Sequence, residues 1–345
     1  MWNRGKKIGY AMVGLAVFIL ALELLKTSAR GLAPLFTALA VDSVVNTLGM
    51  GWLMAYVVLS GSPVAAVSLT LFSAHIITDI QSFAMITGSR LGASFIVLLV
   101  GFISYLRGHQ RVASISIGVL AFLVTATIYV PAMGLGYLAL TNGWFGRVQF
   151  GSPRFLTSFI DVLYDPIVRT ITGVLPGWMV FILGIGVLLL AFNIFDRALP
   201  EMSSDSTGIR RVADFVYRPT VMFALGMLVT SVTLSVSVSL GILVPLSVRG
   251  YVRRENLIPY IMGANITTFI DTLFAALLLD TPQAFTIVLV EMASVAVLSL
   301  LVLALTYGHY RRTVEWAMES IMHNNRNLFI FLAVLLVIPL ILLLL

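Results

Sequence analysis

Hydroxyl side chains cluster at two places in this chain where they could hold an ion. Ser231, Ser235 and Ser239 recur every fourth residue, which on a helix lines three hydroxyls along one stripe. Ser235, Ser237 and Ser239 also alternate, which suits an extended or unwound turn. Ser60 and Ser62 repeat that alternation earlier in the chain. Either geometry offers hydroxyls and backbone groups that can replace the hydration shell of an anion or a sodium ion. The competing reading is structural: serine in an apolar helix bonds its own i−4 carbonyl or lets two helices approach. Further on, Asn265, Thr267 and Thr268 follow a Gly263–Ala264 step that lets backbones come close. Carbonyl and hydroxyl oxygens there are hard ligands for sodium, and a helix N-terminus nearby could receive an oxyanion. The bland alternative is a glycine packing contact between helices.

Ionisable residues inside apolar runs form the second set: Asp79, Arg90, Asp271, Glu291 and, more weakly, His75. A charge at mid-bilayer costs roughly 2.5–3.5 kcal/mol on insertion scales, so such groups face a bundle interior or a watery cavity. Arg90 could grip an anionic substrate through its planar fork, or pair with Asp79 or Asp271 as a buried bridge. Asp271 could help bind a cation or a proton, or sit near an interface. Glu291, one turn into its span, reads as a snorkelling or capping group outside the site. Glu23 and Asp42 fall at helix ends. His75, His109, His309 and His323 are scattered and form no ligand cluster. There is no GxxxxGK[ST] phosphate loop and no HExxH. An ATP-driven pump or a membrane metalloprotease would need such features, so the chain is not read as an enzyme.

The elements that must position these residues are membrane helices. Only 10% of the 345 residues are charged and 59% are apolar, against about 25% charged in a soluble domain. Uncharged runs such as Ser43–Ala74, Val112–Leu140 and Pro219–Val248 match or exceed the roughly 20 residues that cross a hydrocarbon core. A β-barrel would show short alternating segments instead. The pattern predicts spans over Ile8–Leu25, Ser43–Ile77, Gln81–Leu106, Val112–Leu140, Thr170–Phe195, Pro219–Val248, Asn256–Leu279, Ala284–Tyr307 and Leu328–Leu345. Two of these are too long for one simple crossing and are expected to break, near Gly61 and Pro63 and near Gly241 and Pro245. The net charge of +6 is spread over loops and termini, which encodes topology and gives no reason to expect nucleic acid. The basic start (Arg4, Lys6, Lys7) leads into a retained first helix and argues for a cytoplasmic N-terminus in the plasma membrane.

The chain also looks duplicated. SGSPVAA at Ser60 is followed 28 residues later by GSRLGAS at Gly88; LSVSVS at Leu234 is followed 29 residues later by GANITTF at Gly263. The tails SYLRGHQR and TYGHYRR are also alike. This places a first repeat at 8–140, an interfacial connector at 141–170, a second repeat at 171–327 and an extra C-terminal helix at 328–345. The differing separations suggest a register that is not constant.

At Gly263-Ala264-Asn265-Ile266-Thr267-Thr268, preceded by IPYIM, the sequence resembles the sodium/phosphate cotransporter family, whose signature is a QSSS-type stretch followed by GANIGTT in both halves. Leu234–Ser239 stands where the family has Gln-Ser-Ser-Ser-Ala-Thr. The resemblance covers about 8–310. The family glutamine is missing from both halves, Arg90 stands in place of the Asn of GAN, and Thr267 replaces a Gly. The resemblance implies an all-α polytopic fold with two inverted repeats and broken or re-entrant helices. It implies sodium-coupled symport of phosphate or a similar small anion by alternating access. It would place substrate or ions at Ser60, Ser62, Arg90, Ser235, Ser237, Ser239, Asn265, Thr267, Thr268 and Asp271, with sodium at Ser235, Asn265 and Thr268. The alternative on the same fold is an ion channel or a non-transporting scaffold. Inverted repeats would put the two basic tails on opposite faces, which the charge rule disfavours.

Overall fold

In lipid every backbone N–H and C=O has to be satisfied inside the chain, so a polytopic protein folds as helices or a closed barrel. The computed structural model describes residues 2–32, 34, 36, 41–106, 113–198, 218–236, 238–240, 254–279 and 281–345. Among the described residues there are helices and no strand, and seven helical stretches are long and apolar enough to cross a membrane. The chain is an all-helical protein of the polytopic membrane class.

The first helix, α1 (Trp2–Ser28), ends in a 3-10 turn at Ala29–Leu32. Next come two short helices, α2 (Val44–Val58) and α3 (Gly61–Ser73). Ser43 starts α2 with a reciprocal cap to Asn46, which satisfies two of the amide donors orphaned at a helix start. Leu59 ends it with a left-handed backbone, φ 55°. That conformation is costly for a branched side chain, and it turns the chain back at Ser60. Fifteen residues of helix extend only about 22 Å, short of a hydrocarbon core of about 30 Å. Ser43–Ile77 therefore breaks as expected, at Leu59–Ser60, immediately before Gly61.

Two long helices follow, α4 (Asp79–Leu106) and α5 (Ala113–Thr141). Then α6 (Arg154–Val174) presents Ile160, Tyr164 and Val168 as one buried stripe, while Phe155 and Val162 on its other face are exposed. Leu175 before Pro176 is extended, as the residue preceding a proline prefers. This separates α6 from α7 (Gly177–Ala198), so the expected span Thr170–Phe195 starts later than the apolar run. Helices α1 and α7 run antiparallel: Gly14 lies against Ile194 and Phe195, Gly184 against Leu25, and Gly31 against Gly177.

The next helix, α8 (Pro219–Thr233), again has 15 residues and again ends on a left-handed leucine, Leu234, φ 53°. This break comes earlier than the expected one; Gly241 and Pro245 lie outside the described residues. Because α8 stops at Thr233, Ser231 and Ser239 do not share one helical stripe. The expected single span Asn256–Leu279 is also broken, into α9 (Leu257–Thr267) and α10 (Ile270–Leu278). Then α11 (Pro282–Leu301) continues through a π-helical turn at Val302–Thr306 into α12 (Tyr307–Met322), well past the expected end at Tyr307. Last is α13 (Asn325–Leu344). It lies on α2: Asn46 Nδ2 donates to the Leu343 carbonyl at 3.0 Å and the Tyr56 hydroxyl to that of Leu335 at 2.9 Å.

The same close approaches recur at one constant offset. A Cβ on Gly51 would strike the Met85 carbonyl, and one on Gly226 that of Tyr260. A Cβ on Gly88 would strike the Leu48 carbonyl, and one on Gly263 that of Phe223. Each pair, like Leu59 and Leu234, is 175 residues apart. The register is therefore constant over this stretch. Ser60 corresponds to Ser235 and not to Leu234, and both then precede their glycine by 28 residues.

Candidate functional site

Arg90 sits about three turns into α4, with its side chain almost wholly buried. Its Nη1 donates to Ser62 Oγ at 3.2 Å and lies 3.4 Å from Thr268 Oγ1. Its Nη2 donates to Thr272 Oγ1 at 2.5 Å and is 3.6 Å from Asp271 Oδ1. The Thr272 hydroxyl in turn donates a hydrogen bond to Asp271 Oδ1 at 2.8 Å, so it links the two charged groups. The guanidinium carbon lies 4.8 Å from the centre of the Phe269 ring, a cation–π contact. Nε makes no hydrogen bond.

The break between α9 and α10 has a chemical consequence. The Phe269 amide turns to the Ile266 carbonyl at 3.4 Å. The Asn265 carbonyl instead accepts the Tyr129 hydroxyl from α5 at 2.8 Å. The Asn265 side chain donates to Thr125 Oγ1 at 3.1 Å. Two hydroxyls of α5 thus fix Asn265 from both ends.

These groups border a cavity of about 440 Å³ that includes Ser60, Ser62, Arg90, Ser235, Asn265 and Thr268, within the size range of small-molecule sites. A second cavity of about 600 Å³ is lined mainly by apolar side chains, with Asp271 on its wall. Ser60, Ser62, Ser235 and Phe192 border both. Arg90 borders only the first and Asp271 only the second. The ion pair therefore bridges the wall between the two cavities.

Of the ten expected positions, six line the first cavity and Asp271 reaches it through Arg90. Two lie elsewhere. Thr267 donates to the Met227 carbonyl at 3.0 Å, binding α9 to α8. Ser239 is fully buried between Thr230, at 2.8 Å, and the Tyr260 hydroxyl, at 2.7 Å. Ser237 lies outside the described residues. Among the open alternatives for Arg90, Asp271 is the partner; Asp79, at the start of α4, instead takes the Ile80 amide.

Glu291 corrects the sequence reading. It neither snorkels nor caps: it is 2% exposed on α11, and its Oε1 is 2.8 Å from Thr87 Oγ1, one turn before Arg90 on α4. Tyr129, Thr125 and Thr272 were not singled out from sequence, because hydroxyls on apolar helices are common and only the fold shows which converge. No family model matches the chain, and neither a curated protein nor a solved structure does.

Proposed function

We propose that this chain is a secondary transporter that moves a small anion, phosphate or a similar oxyanion, coupled to sodium by alternating access. One observation carries the reading: a buried arginine faces a cavity of about 440 Å³ that is also bordered by Ser60 and Ser235, each directly after a left-handed leucine turn. Asp271 already balances the arginine's charge, so an oxyanion would meet not an uncompensated cation but the planar, hydrogen-bonding fork that suits it. Sodium would be met by the oxygens of Ser235, Asn265 and Thr268 on the same cavity.

The two halves would be inverted repeats. Two relations support this: the constant offset of 175 residues between their glycine contacts, and the antiparallel run of α1 against α7, the helices that open each half. The short helices α2 and α3 flanking Leu59 would then be re-entrant, entering and leaving on one face. We place the chain in the plasma membrane with Arg4, Lys6 and Lys7 in the cytoplasm.

The test is uptake of radiolabelled phosphate into proteoliposomes under an inward sodium gradient. Wild type accumulates phosphate, and Asn265→Ala and Ser235→Ala lose that accumulation. Steady ion conductance without accumulation of phosphate, sulfate or a small carboxylate would replace this reading with a channel on the same fold.

A further inference from the structure

Counting protons at Glu291 shows a group the transport reading leaves unused. Thr87 Oγ1 is 3.0 Å from the Phe83 carbonyl and 2.8 Å from Glu291 Oε1. A threonine hydroxyl has one hydrogen. If it donates to the Phe83 carbonyl, the usual i−4 bond of threonine in a helix, the short contact to Glu291 needs its hydrogen from the carboxyl. Were Glu291 ionised, one of the two contacts would be acceptor against acceptor. The other carboxyl oxygen, Oε2, is buried and makes no hydrogen bond. An unpaired oxygen is tolerable as the C=O of a neutral acid and very costly as half of a buried carboxylate. Neighbouring Ser294 offers no rescue, since its hydroxyl goes to the Val290 carbonyl at 2.7 Å.

We infer that Glu291 is a proton-binding site, held as a neutral carboxylic acid that donates to Thr87, and that its protonation favours anion binding at Arg90. The second half of this statement rests on the transport reading. A metal cation is a poorer occupant: Glu291 borders neither cavity, whereas a proton needs no room. On binding, an O–H bond forms between Oε1 and a proton taken from water; on release that bond breaks and the proton returns to water.

The charged and titratable groups around it are few. Arg90 comes from α4, Tyr129 from α5, and Asp271 lies on α10 on the far side of Arg90. Helix α3 carries no titratable residue, and Tyr260 of α9 is bound to Ser239. With Glu291 neutral, the Arg90–Asp271 pair sums to zero and an incoming anion meets no net repulsion. With Glu291 ionised the cluster carries a net negative charge beside the anion cavity. Anion affinity should therefore fall as pH rises, and by linkage anion binding should raise the affinity for the proton.

Two measurements on the purified full-length chain decide this. The first is infrared spectroscopy at neutral pH. Wild type shows the carbonyl stretch of a protonated carboxylic acid, Glu291→Gln lacks it, and Thr87→Val, which removes the partner and keeps the acid, shifts it. Identical spectra for wild type and Glu291→Gln would overturn the proton site. The second is thermal stabilisation by sulfate, a probe whose charge is fixed across the neutral range, at stepped pH. Wild-type affinity drops by up to about tenfold per pH unit, and Glu291→Gln holds the acid-side affinity throughout. Sulfate binding with the same pH dependence in both proteins would overturn the coupling. Absence of stabilisation by any anion at any pH would instead overturn the transport reading, and the infrared band would still decide Glu291.

Discussion

The two halves of the molecule share a frame and divide the chemistry. Gly51 meets Met85 and Gly88 meets Leu48 and Trp52 in the first half, as Gly226 meets Tyr260 and Gly263 meets Phe223 and Met227 in the second, and Leu59 and Leu234 make the matching left-handed turns. Within that frame Arg90 corresponds to Asn265, Ala93 to Thr268 and Ile96 to Asp271. The first half supplies the cation on an unbroken helix; the second supplies the carboxylate, the amide and a helix broken beside them. Backbone contacts through glycine tolerate almost no change, so the frame stays alike. Side chains facing a cavity meet no such limit, and there the halves differ. The ion pair joins them, because Arg90 finds its carboxylate only across the interface.

The largest expected effect comes from breaking that junction. Arg90→Leu leaves Asp271 buried without its cation, which costs about 3–5 kcal/mol, and under the proposed transport function it also removes the anion's partner. Thermal unfolding in detergent should fall markedly and uptake should vanish. Adding Asp271→Asn should recover most of the stability and none of the uptake. Equal stability of the single and double variants would show that the pair is not what joins the halves.

The shared frame is tested next. Gly51→Ala and Gly226→Ala each place a methyl group against a backbone carbonyl of the neighbouring helix. Overpacking of this kind costs about 1–3 kcal/mol. The two variants should lose similar amounts in the same unfolding measurement. A large loss in one and none in the other would break the equivalence of the halves.

Composition and hydropathy made the helical membrane class legible, because an apolar run of twenty residues has few other uses. The breaks were legible only in part. Gly61 and Pro63 pointed to within a few residues of the first, but Leu59 and Leu234 carry no local signal for a left-handed turn, since leucine is a good helix former. The break at Thr268–Phe269 has no Pro and no Gly at the break itself to mark it. Arg90 was readable because an arginine in an apolar run is rare. Its partner stayed open between Asp79 and Asp271, which differ in sequence distance and not in chemistry. Position along the span places Glu291 outside the site and says nothing of the helix face it occupies, which is what buries it. Tyr129 and Thr272 acquire meaning only from what packs against them.

A smaller effect is expected where α5 supports the second half. Tyr129→Phe removes the hydroxyl that satisfies the Asn265 carbonyl, a bond worth about 0.5–1.5 kcal/mol. Stability should drop by that amount. Phosphate affinity should weaken several-fold, because Asn265 then loses one of its two anchors. Unchanged affinity with lowered stability would make Tyr129 a packing residue only.

The smallest effect separates the two turns themselves. Ser235 Oγ accepts the Val238 amide at 3.3 Å, so it caps the segment that follows. Ser60 starts α3 without any side-chain capping bond. Replacing a capping serine by alanine costs about 1 kcal/mol, whereas Ser60→Ala should leave stability within about 0.5 kcal/mol. Both serines border the cavity, so both variants should weaken phosphate binding by a similar few-fold factor in a titration, while the loss of accumulation in Ser235→Ala comes from its sodium contact. If Ser60→Ala proves silent in binding as well as in stability, the anion is held by the second half and Arg90 alone. The first hairpin turn would then serve as a wall of the cavity, and the division of labour between the halves would be sharper than their shared frame suggests.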